Sequence, residues 1–335
     1  MRVWFNHWFS AVYHIISMMR EGEPEHTYIG SSENAYAVYK EVCDEFYVEP
    51  GGLDENAYVD YALAFCKEHE VDIFVPRRNL TAIALCKSRF EAAGVKLLAN
   101  TDGELAKTLD DKRATYEAVQ KILPEVVPEY YVAESYGAFV AHCETLRGKG
   151  YRVCYKLTVD EGARSFRVLD ERIESGNAVY EKPGSKLTFA AAQKVMKEYS
   201  FAKPVLIMPY LDGVEISADC LQTDKGKLII PRYKMNKRYS EVCFDEGVTA
   251  LCERLLEGLG CEMPVNIQFK MREGKPYLLE INPRMSGGLQ LSCKASAINL
   301  PALALKKLLG KPHDWRYPEK RSAKVVHIET PVCLD

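Results

Sequence analysis

Short apolar runs alternate with stretches of helical apolar spacing along the first hundred residues. Four runs predict buried strands, namely "RVWF" (2–5), "HTYIGS" (26–31), "VDIFVP" (71–76) and "VKLLAN" (95–100). Three stretches carry apolar residues at helical intervals and predict helices, namely 10–22, 57–70 and 82–94. Strand–helix alternation of this kind builds a mostly parallel sheet, so we expect an N-terminal α/β domain over residues 1–105.

The pattern changes after residue 100. The segment "TDGE" (101–104) is a Thr-x-x-Glu capping box, and it predicts the start of a helical region that runs as far as Pro124. Residues 151–170 predict two strands joined by a loop around Gly162, and residues 187–200 predict a helix. We assign these elements to a second part of the chain, residues 106–204.

The last part, residues 205–335, is predicted to be of the α+β type. The turns "LDG" and "TDKGK" separate its first strands, and a helix ends at the glycine at position 260. The segment "PVNIQFKMREGKPYLLEIN" (264–282) predicts a hairpin around "REGK". The expected fold class is therefore an α/β domain with a parallel sheet, followed by α+β parts.

Composition excludes several classes of protein. The chain has 335 residues and a formal net charge of −3, which argues against a general nucleic-acid binder. No apolar stretch approaches the ~20 residues of a membrane span, and "MRVWFNHWFS" lacks the long apolar region of a signal peptide. Eleven cysteines without CxxC pairs are typical of reduced thiols, and the seven histidines show no metal-ligand spacing. We expect a cytoplasmic enzyme.

The predicted hairpin ends in an unusual polar patch. Glu280 and Asn282 lie two positions apart on one strand, so their side chains point to the same face, and pairing around "REGK" brings Gln268 nearly opposite Glu280. Three oxygen donors suit Mg²⁺, which takes few protein ligands, and Arg284 adds a forked cation for a phosphoryl oxygen. The alternative is an ordinary hairpin with solvated polar ends. The combination with Pro283 and the following glycine pair favours a nucleotide–metal site.

Four segments resemble one family, the ATP-grasp enzymes, and are most similar there to the carbamoyl-phosphate synthetase large subunit. "NIQFKMREGKPYLLEINPRMSGGLQLSCKAS" (266–296) resembles the metal-binding hairpin. "YKLTVDEGARSFRV" (155–168) resembles the lysine strand and phosphate-covering loop, and "VLIMPYLDGVEISADCL" (205–221) the adenine hinge. "LDDKRATYE" (109–117) resembles the opening helix. The segments occur in the family's order across roughly 100–310, and stand-alone members linked with tellurium-resistance gene clusters are also similar.

The resemblance implies a pre-ATP-grasp domain followed by a two-subdomain ATP-grasp fold, with roles for particular residues. It implies nucleotide binding by seven residues: Lys112, Lys156, Gly162, Met208, Tyr210, Leu211 and Glu215. It implies that the metal is held by Gln268, Glu280 and Asn282. It implies that the reaction is served by Arg284, Asn282 and Arg232, the last as a clamp for the acyl phosphate or the acid.

Several of these roles have simpler alternatives that the sequence leaves open. Lys156 is either a surface residue or a buried cation that awaits an anion, and Lys112 is either a phosphate contact or a solvated helix residue. The basic stretch 231–241 is either a solvated, mobile segment or a substrate clamp. The loop 159–165 keeps only one glycine, Gly162, and carries two acidic residues where phosphates would lie, which puts catalytic competence in question.

The implied activity is that of an ATP-dependent ligase that uses Mg²⁺ or Mn²⁺. A carboxylate would be activated as an acyl phosphate, then attacked by an amine or another nucleophile, with release of ADP and phosphate. Two alternatives are a carbamoyl- or carboxy-phosphate-forming enzyme and a catalytically inactive ATP-binding regulator. The expected partners are small molecules and, by resemblance, a second copy in a homodimer. Arg77 and Arg78, which end a predicted strand, are candidates to hold an acidic substrate.

Overall fold

The computed structural model describes residues 1–100, 102–160, 163–174, 184–235 and 239–333, and it divides the chain into two compact units. Unit 1 comprises Met1–Asp110, Val214–Phe269 and Leu279–Asp335, and unit 2 comprises Asp111–Gly213 and Lys270–Leu278. The three-part division at residues 105 and 204 stays a prediction.

Unit 1 begins with a five-stranded sheet, in which every strand is parallel to its neighbours. The strands are β1 (Arg2–Phe5), β2 (Thr27–Ser32), β3 (Glu45–Val48), β4 (Ile73–Val75) and β5 (Lys96–Leu97), in the order β3-β2-β1-β4-β5. The helices are α1 (Val12–Gly22), α2 (Glu55–Glu68), α3 (Leu80–Leu85), α4 (Lys87–Ala92) and α5 (Gly103–Asp110), with a 3₁₀ helix at Val38–Val42. The predicted N-terminal parallel sheet is confirmed.

Both faces of this sheet are covered by helices. Val3 and Phe5 pack on the side of α1, whereas Trp4, which points the other way, packs with residues of α2 to α4. On the first side α1 also packs against the C-terminal part of unit 1, where a Cβ on Gly22 would lie 2.4 Å from the Cβ of Ala302. A glycine is therefore required for this close approach.

The helical region predicted from residue 101 to Pro124 consists of two helices. The chain breaks at Asp111, whose carboxylate accepts hydrogen bonds from the backbone N–H groups of Arg113 and Ala114 and so starts a new helix. Asp102 caps the preceding helix, while Thr101 of the predicted capping box lies outside the described residues. The predicted helical region is therefore confirmed over its described residues, and it is divided at Asp111 because an aspartate is a strong N-cap.

Unit 2 is built on a second five-stranded sheet. Its strands are β6 (Tyr131–Ala133), β7 (Val153–Leu157), β8 (Arg167–Leu169), β9 (Lys186–Leu187) and β10 (Val205–Pro209), in the order β6-β10-β7-β8-β9. Its helices are α6 (Lys112–Ile122), α7 (Tyr136–Gly148) and α8 (Phe189–Glu198), with 3₁₀ turns at Pro124–Val126 and Glu171–Glu174. All pairings are antiparallel except that of β8 with β9.

A six-stranded sheet follows in the order β15-β14-β11-β12-β13-β16. Its strands are β11 (Glu215–Thr223), β12 (Gly226–Met235), β13 (Tyr239–Cys243), β14 (Val265–Arg272), β15 (Lys275–Asn282) and β16 (Ser322–Val325). The helices are α9 (Glu246–Leu259), α10 (Leu289–Ser296) and α11 (Leu300–Leu308). Across all the described residues, no helix is both long and apolar enough to cross a membrane.

The stretch 231–241 is largely β-structure. Its described residues belong to β12 and β13, which pair with each other, and Arg232 is only 4% exposed. The interpretation of the stretch as a solvated charge run was therefore wrong for Arg232, although Lys234 on the same strand is exposed. The basic character of the stretch gave no indication of burial, because an arginine is buried only where other segments supply polar partners.

Candidate functional site

The polar patch at the end of β15 forms one hydrogen-bonded row. The amide nitrogen of Asn282 donates to Glu280 Oε1 (3.1 Å), and Arg284 Nη2 donates to Asn282 Oδ1 (3.5 Å). The turn before this strand has φ values of 50° at Glu273 and 78° at Gly274, as expected for a two-residue hairpin turn. A carboxylate, an amide and a guanidinium therefore follow one another along the strand end.

Gln268, the third predicted metal ligand, lies on β14 and donates from Nε2 to Asn266 Oδ1 at 2.9 Å. Its convergence with Glu280 and Asn282 on one ion stays a prediction. The donor set fits Mg²⁺, which prefers a few carboxylate and amide oxygens. The amide of Asn282 presents nitrogen to Glu280, and a half-turn of that amide would place its oxygen beside the carboxylate.

Behind this patch lies a buried polar network that the sequence did not reveal. We define it as five residues of unit 1: Ser217, Asp219, Arg232, Asn266 and Ser292. Each is at most 4% exposed. Polar atoms of three strands, β11, β12 and β14, and of the helix α10 thus meet in the interior of unit 1.

The hydrogen bonds of the network run from the metal-ligand candidates to Arg232. Asn266 donates to Ser217 Oγ (3.0 Å) and Asp219 Oδ1 (3.0 Å), and Ser292 Oγ donates to Asp219 Oδ2 (2.6 Å). Arg232 donates from Nε to Ser292 Oγ (3.2 Å) and from Nη2 to Ser217 Oγ (3.3 Å). Gln268 is therefore joined to Arg232 by continuous hydrogen bonds.

A sequence signal for part of this network existed. Ser217 lies between Glu215 and Asp219 at the two-residue period of a strand, and Asn266 has the same spacing from Gln268. Polar residues at this period on two apolar strands indicate a shared face. The sequence around Ser292 carried no such signal, because Ser292 lies in a helix and the two-residue period applies only to strands.

Arg232 is a buried cation with unusual partners. In the described part of the chain its hydrogen bonds go to two hydroxyl groups and to no carboxylate. The nearest backbone leaves room for it only because Gly288 has no side chain: a Cβ there would lie 2.2 Å from Arg232 Nη2. Such a guanidinium is suited to receive an anion.

Arg284 is oriented by an aromatic ring. Its guanidinium carbon lies 5.4 Å from the centroid of Phe9, and that of Arg77 lies 5.7 Å from the same ring. Arg78, by contrast, is paired with Glu33 at 2.6 Å and lies 3.6 Å from the buried Glu49. Of the two arginines that follow β4, Arg77 is therefore the one that shares the Phe9 ring with Arg284.

The structure describes some of the unit 2 residues that were predicted to lie beside the phosphates. Lys112 is 8% exposed and donates to the backbone oxygen of Asp160 at 2.9 Å, so its reading as a solvated residue was wrong. Lys156 is half-buried on β7. The carboxylate of Asp160 accepts from Ser165 N (2.7 Å) and Oγ (2.6 Å), which ties down one of the two acidic loop residues. Gly162 lies outside the described residues.

The hinge candidates also lie in unit 2. Met208 and Leu211 are buried, and the Tyr210 N–H already donates to the backbone oxygen of Arg152 at 2.6 Å. The Tyr210 ring lies under the Arg152 guanidinium at 4.5 Å.

Glu215 is the remaining nucleotide candidate, and it belongs to unit 1. It forms an ion pair with Lys234 across β11 and β12, so its charge is compensated within the sheet.

No described thiol near these residues is an activated nucleophile. Burial raises the pKa of the Cys154 thiol, two positions before Lys156, to about 12, and burial raises that of Cys293, beside Ser292, to about 12. A thiolate forms readily only where the pKa is lowered. The chemistry that the arrangement supports is therefore charge neutralisation and positioning.

Comparisons with known proteins agree with this geometry. Residues 201–331 match the model of a family described as "ATP-grasp in the biosynthetic pathway with Ter operon". Over 324 residues, 90% of this chain, the sequence is 25% identical to the arginine-specific large chain of carbamoyl phosphate synthase from Geobacillus stearothermophilus. The chain is an ATP-grasp protein. It spans 28% of that relative's length, so the ATP-grasp match concerns only part of the larger enzyme.

Solved structures show the same ATP-grasp fold. The biotin carboxylase domain of 2-oxoglutarate carboxylase from Hydrogenobacter thermophilus, in complex with MgADP, ADP and bicarbonate, matches with a TM-score of 0.68 at 14% identity, over 94% of this chain and 71% of that one. L-amino acid ligase from Bacillus licheniformis matches with a TM-score of 0.66 at 14% identity, over 92% and 74%. The predicted ATP-grasp superfamily and fold class are confirmed.

Proposed function

We propose that this ATP-grasp protein is an ATP-dependent ligase that activates a carboxylate as an acyl phosphate for attack by an amine or another nucleophile. One observation carries the proposal: the row of Glu280, Asn282 and Arg284 is accompanied, in the same unit, by a network that ends in the buried Arg232. Phosphoryl transfer needs mainly positioning and charge neutralisation, which oxygen ligands and arginines provide.

Each residue then has a definite task. Glu280 and Asn282, with Gln268, would hold Mg²⁺ or Mn²⁺, which when bound shields the charge of the ATP phosphates. Arg284 would contact a phosphoryl oxygen, and Arg232 would bind the carboxylate to be activated. The carboxylate oxygen forms a bond to the γ-phosphorus, and the bond to ADP breaks.

The remaining assignments concern the nucleotide and the assembly. Nucleotide contacts are proposed for Lys112, Lys156, Gly162, Met208, Tyr210, Leu211 and Glu215. A homodimer is proposed as the assembly, and the cytoplasm as the location.

A second candidate is the formation of carboxy-phosphate or carbamoyl phosphate from bicarbonate. The 25% identity with a carbamoyl phosphate synthase large chain, and the bicarbonate in the carboxylase complex, favour it. In this case bicarbonate would take the place of the organic acid. Bicarbonate-dependent ADP release without an added amine would distinguish it.

The test is ADP release in the presence of Mg²⁺ and ATP over pools of acids and amines, with Glu280→Gln as the decisive variant. We expect at least a 100-fold loss of turnover in E280Q and weaker Mn²⁺ binding by electron paramagnetic resonance, because a charged ligand is lost. Glu273→Gln is the matched control, since Glu273 lies on the turn of the same hairpin with its side chain 82% exposed.

Two results would overturn the proposal. Full activity of E280Q would exclude the metal assignment. ATP binding without ADP formation over the whole panel would instead indicate an inactive ATP-binding regulator.

A further inference from the structure

A cavity of about 520 Å³ lies within unit 1, next to the candidate site. Its walls come from strands β11 to β14, the loop after β15, the start of α10, and the residues that end and follow β16. The last of these, Val325, Val326 and His327, belong to the C-terminal part of the chain. No motif discussed above includes them.

Two basic side chains line the cavity. Arg232 and Lys234 line it, but Lys234 is paired with Glu215, so its charge is already compensated. Arg232 is 4% exposed and has only hydroxyl partners in the described part of the chain. A buried guanidinium without a bound carboxylate is costly, and an incoming anion would offset that cost. The strongest anion-binding group in this cavity is therefore Arg232.

Three aliphatic side chains also line the cavity, among polar residues such as Tyr239 and Ser286. Leu291 is 8% exposed, and Val325 and Val326 add aliphatic groups, of which Val326 is 55% exposed. A volume of about 520 Å³ falls in the range of about 300–1,000 Å³ that is usual for organic ligands. It is several times larger than a four-atom anion such as bicarbonate requires. The cavity therefore has the shape and polarity for an acid with a carbon body.

We propose that the cavity selects the carboxylate substrate, and that this substrate is an organic acid with an apolar body of several carbons. The carboxylate is bound by Arg232, and the body lies against Leu291, Val325 and Val326. The end of β16 is then the element that determines acid specificity. This inference rests on the proposed ligase function, and it chooses an organic acid over bicarbonate.

The test uses acids of increasing size with hydroxylamine as a general nucleophile. The acid attacks the γ-phosphoryl group and releases ADP, and hydroxylamine then displaces phosphate to give a hydroxamate that is measured directly. The probes are bicarbonate, acetate, butyrate, hexanoate and phenylacetate. We expect kcat/KM to be at least tenfold higher for hexanoate or phenylacetate than for acetate.

The decisive variant is Val326→Trp, whose larger side chain takes up volume of the cavity that Val326 lines. We expect it to lower the hexanoate-to-acetate ratio of kcat/KM at least tenfold. Ile328→Trp is the matched control, because Ile328 is 85% exposed and does not line the cavity, and it should keep the wild-type ratio. Since Val326 is more than half exposed, the variant is expected to fold, and circular dichroism checks this.

A binding measurement separates the two proposals. Equilibrium dialysis with radiolabelled hexanoate, without nucleotide, should show binding to the wild type and at least tenfold weaker binding to V326W. Binding of this kind without any turnover would support the cavity and refute the ligase. Turnover with bicarbonate or acetate alone, or a hexanoate-to-acetate ratio that V326W leaves unchanged, would overturn the cavity proposal while the ligase stands. Failure of every acid to bind would overturn it as well.

Discussion

Gly288→Ala tests whether the position of Arg232 matters for activity. The backbone at Gly288 has φ −108° and ψ 6°, which alanine also adopts, so the substitution introduces no backbone strain. The added Cβ would lie 2.2 Å from Arg232 Nη2 and 2.6 Å from its guanidinium carbon. An ordinary contact needs at least 3.4 Å, so the guanidinium must move away by about 1.2 Å (3.4 − 2.2).

A shift of that size breaks existing contacts. The two hydrogen bonds of Arg232 measure 3.2 Å and 3.3 Å, and a 1.2 Å displacement carries at least one of them beyond bonding distance. The loss of a hydrogen bond from a charged group costs about 1.5–3 kcal/mol. A catalytic group misplaced by about 1 Å lowers the rate by as much as about 100-fold. We therefore expect G288A to lose roughly 10- to 100-fold in kcat/KM for the acid.

The assay is ADP release at saturating ATP with the acid varied, together with urea unfolding. Gly287→Ala is the neighbouring comparison, because the atoms nearest to its Cβ would belong to the Phe9 ring, at an ordinary contact distance of 3.4 Å. We expect its loss in kcat/KM to be at least tenfold smaller than that of G288A. Equal activities of the two variants, with equal unfolding free energies, would refute the role of Arg232.

Two further predictions concern stability. In Gly213→Ala the added Cβ would lie 2.2 Å from the backbone oxygen of Met271, which cannot rotate away. We therefore expect urea unfolding to show a loss of about 1–3 kcal/mol in the free energy of unfolding. An unchanged free energy of unfolding would contradict this close approach. His26 is 8% exposed, and burial lowers its pKa below the usual 6.5. As the pH falls through about 6.5, the unfolded chain therefore binds a proton at this residue more readily than the folded chain does. The unfolding free energy of the wild type should therefore fall between pH 7.5 and 5.5, by at most about 1.4 kcal/mol per pH unit from this group. The unfolding free energy of His26→Gln should fall less over the same range. Identical slopes of unfolding free energy against pH in the two proteins would exclude His26 as the cause.

The regular part of the fold was predictable because its periodicity is strong. The four N-terminal strands and the helices between them follow from apolar runs and helical spacing. The edge strand β3 was missed because its apolar run is only three residues long (46–48) and none of its residues is fully buried. The prediction of a single helix over 82–94 was also wrong, since the chain breaks at Cys86 into α3 and α4. Local pattern does not specify such breaks.

The candidate site was predictable only along single strands. The spacing of Glu280, Asn282 and Arg284 placed them on one strand end, and the structure joins them by hydrogen bonds. The burial of Arg232 was not predictable, because it depends on Ser292, sixty positions away, and on the order of strands in the sheet. A charged residue in a basic stretch has the same local signature whether it is solvated or buried.

The indirect link between Asp219 and Arg232 explains how Arg232 can be buried and still be able to bind a substrate carboxylate. The two side chains do not bond directly; Ser292 Oγ donates to Asp219 Oδ2 and accepts from Arg232 Nε. The carboxylate therefore offsets part of the cost of burying the guanidinium, while the intervening hydroxyl prevents a bidentate ion pair that would occupy both terminal nitrogens. Were Asp219 in direct contact, an incoming acid would have to displace it. The Ser292 hydroxyl between the two side chains stabilises the Arg232 guanidinium and leaves some of its N–H groups for a substrate carboxylate.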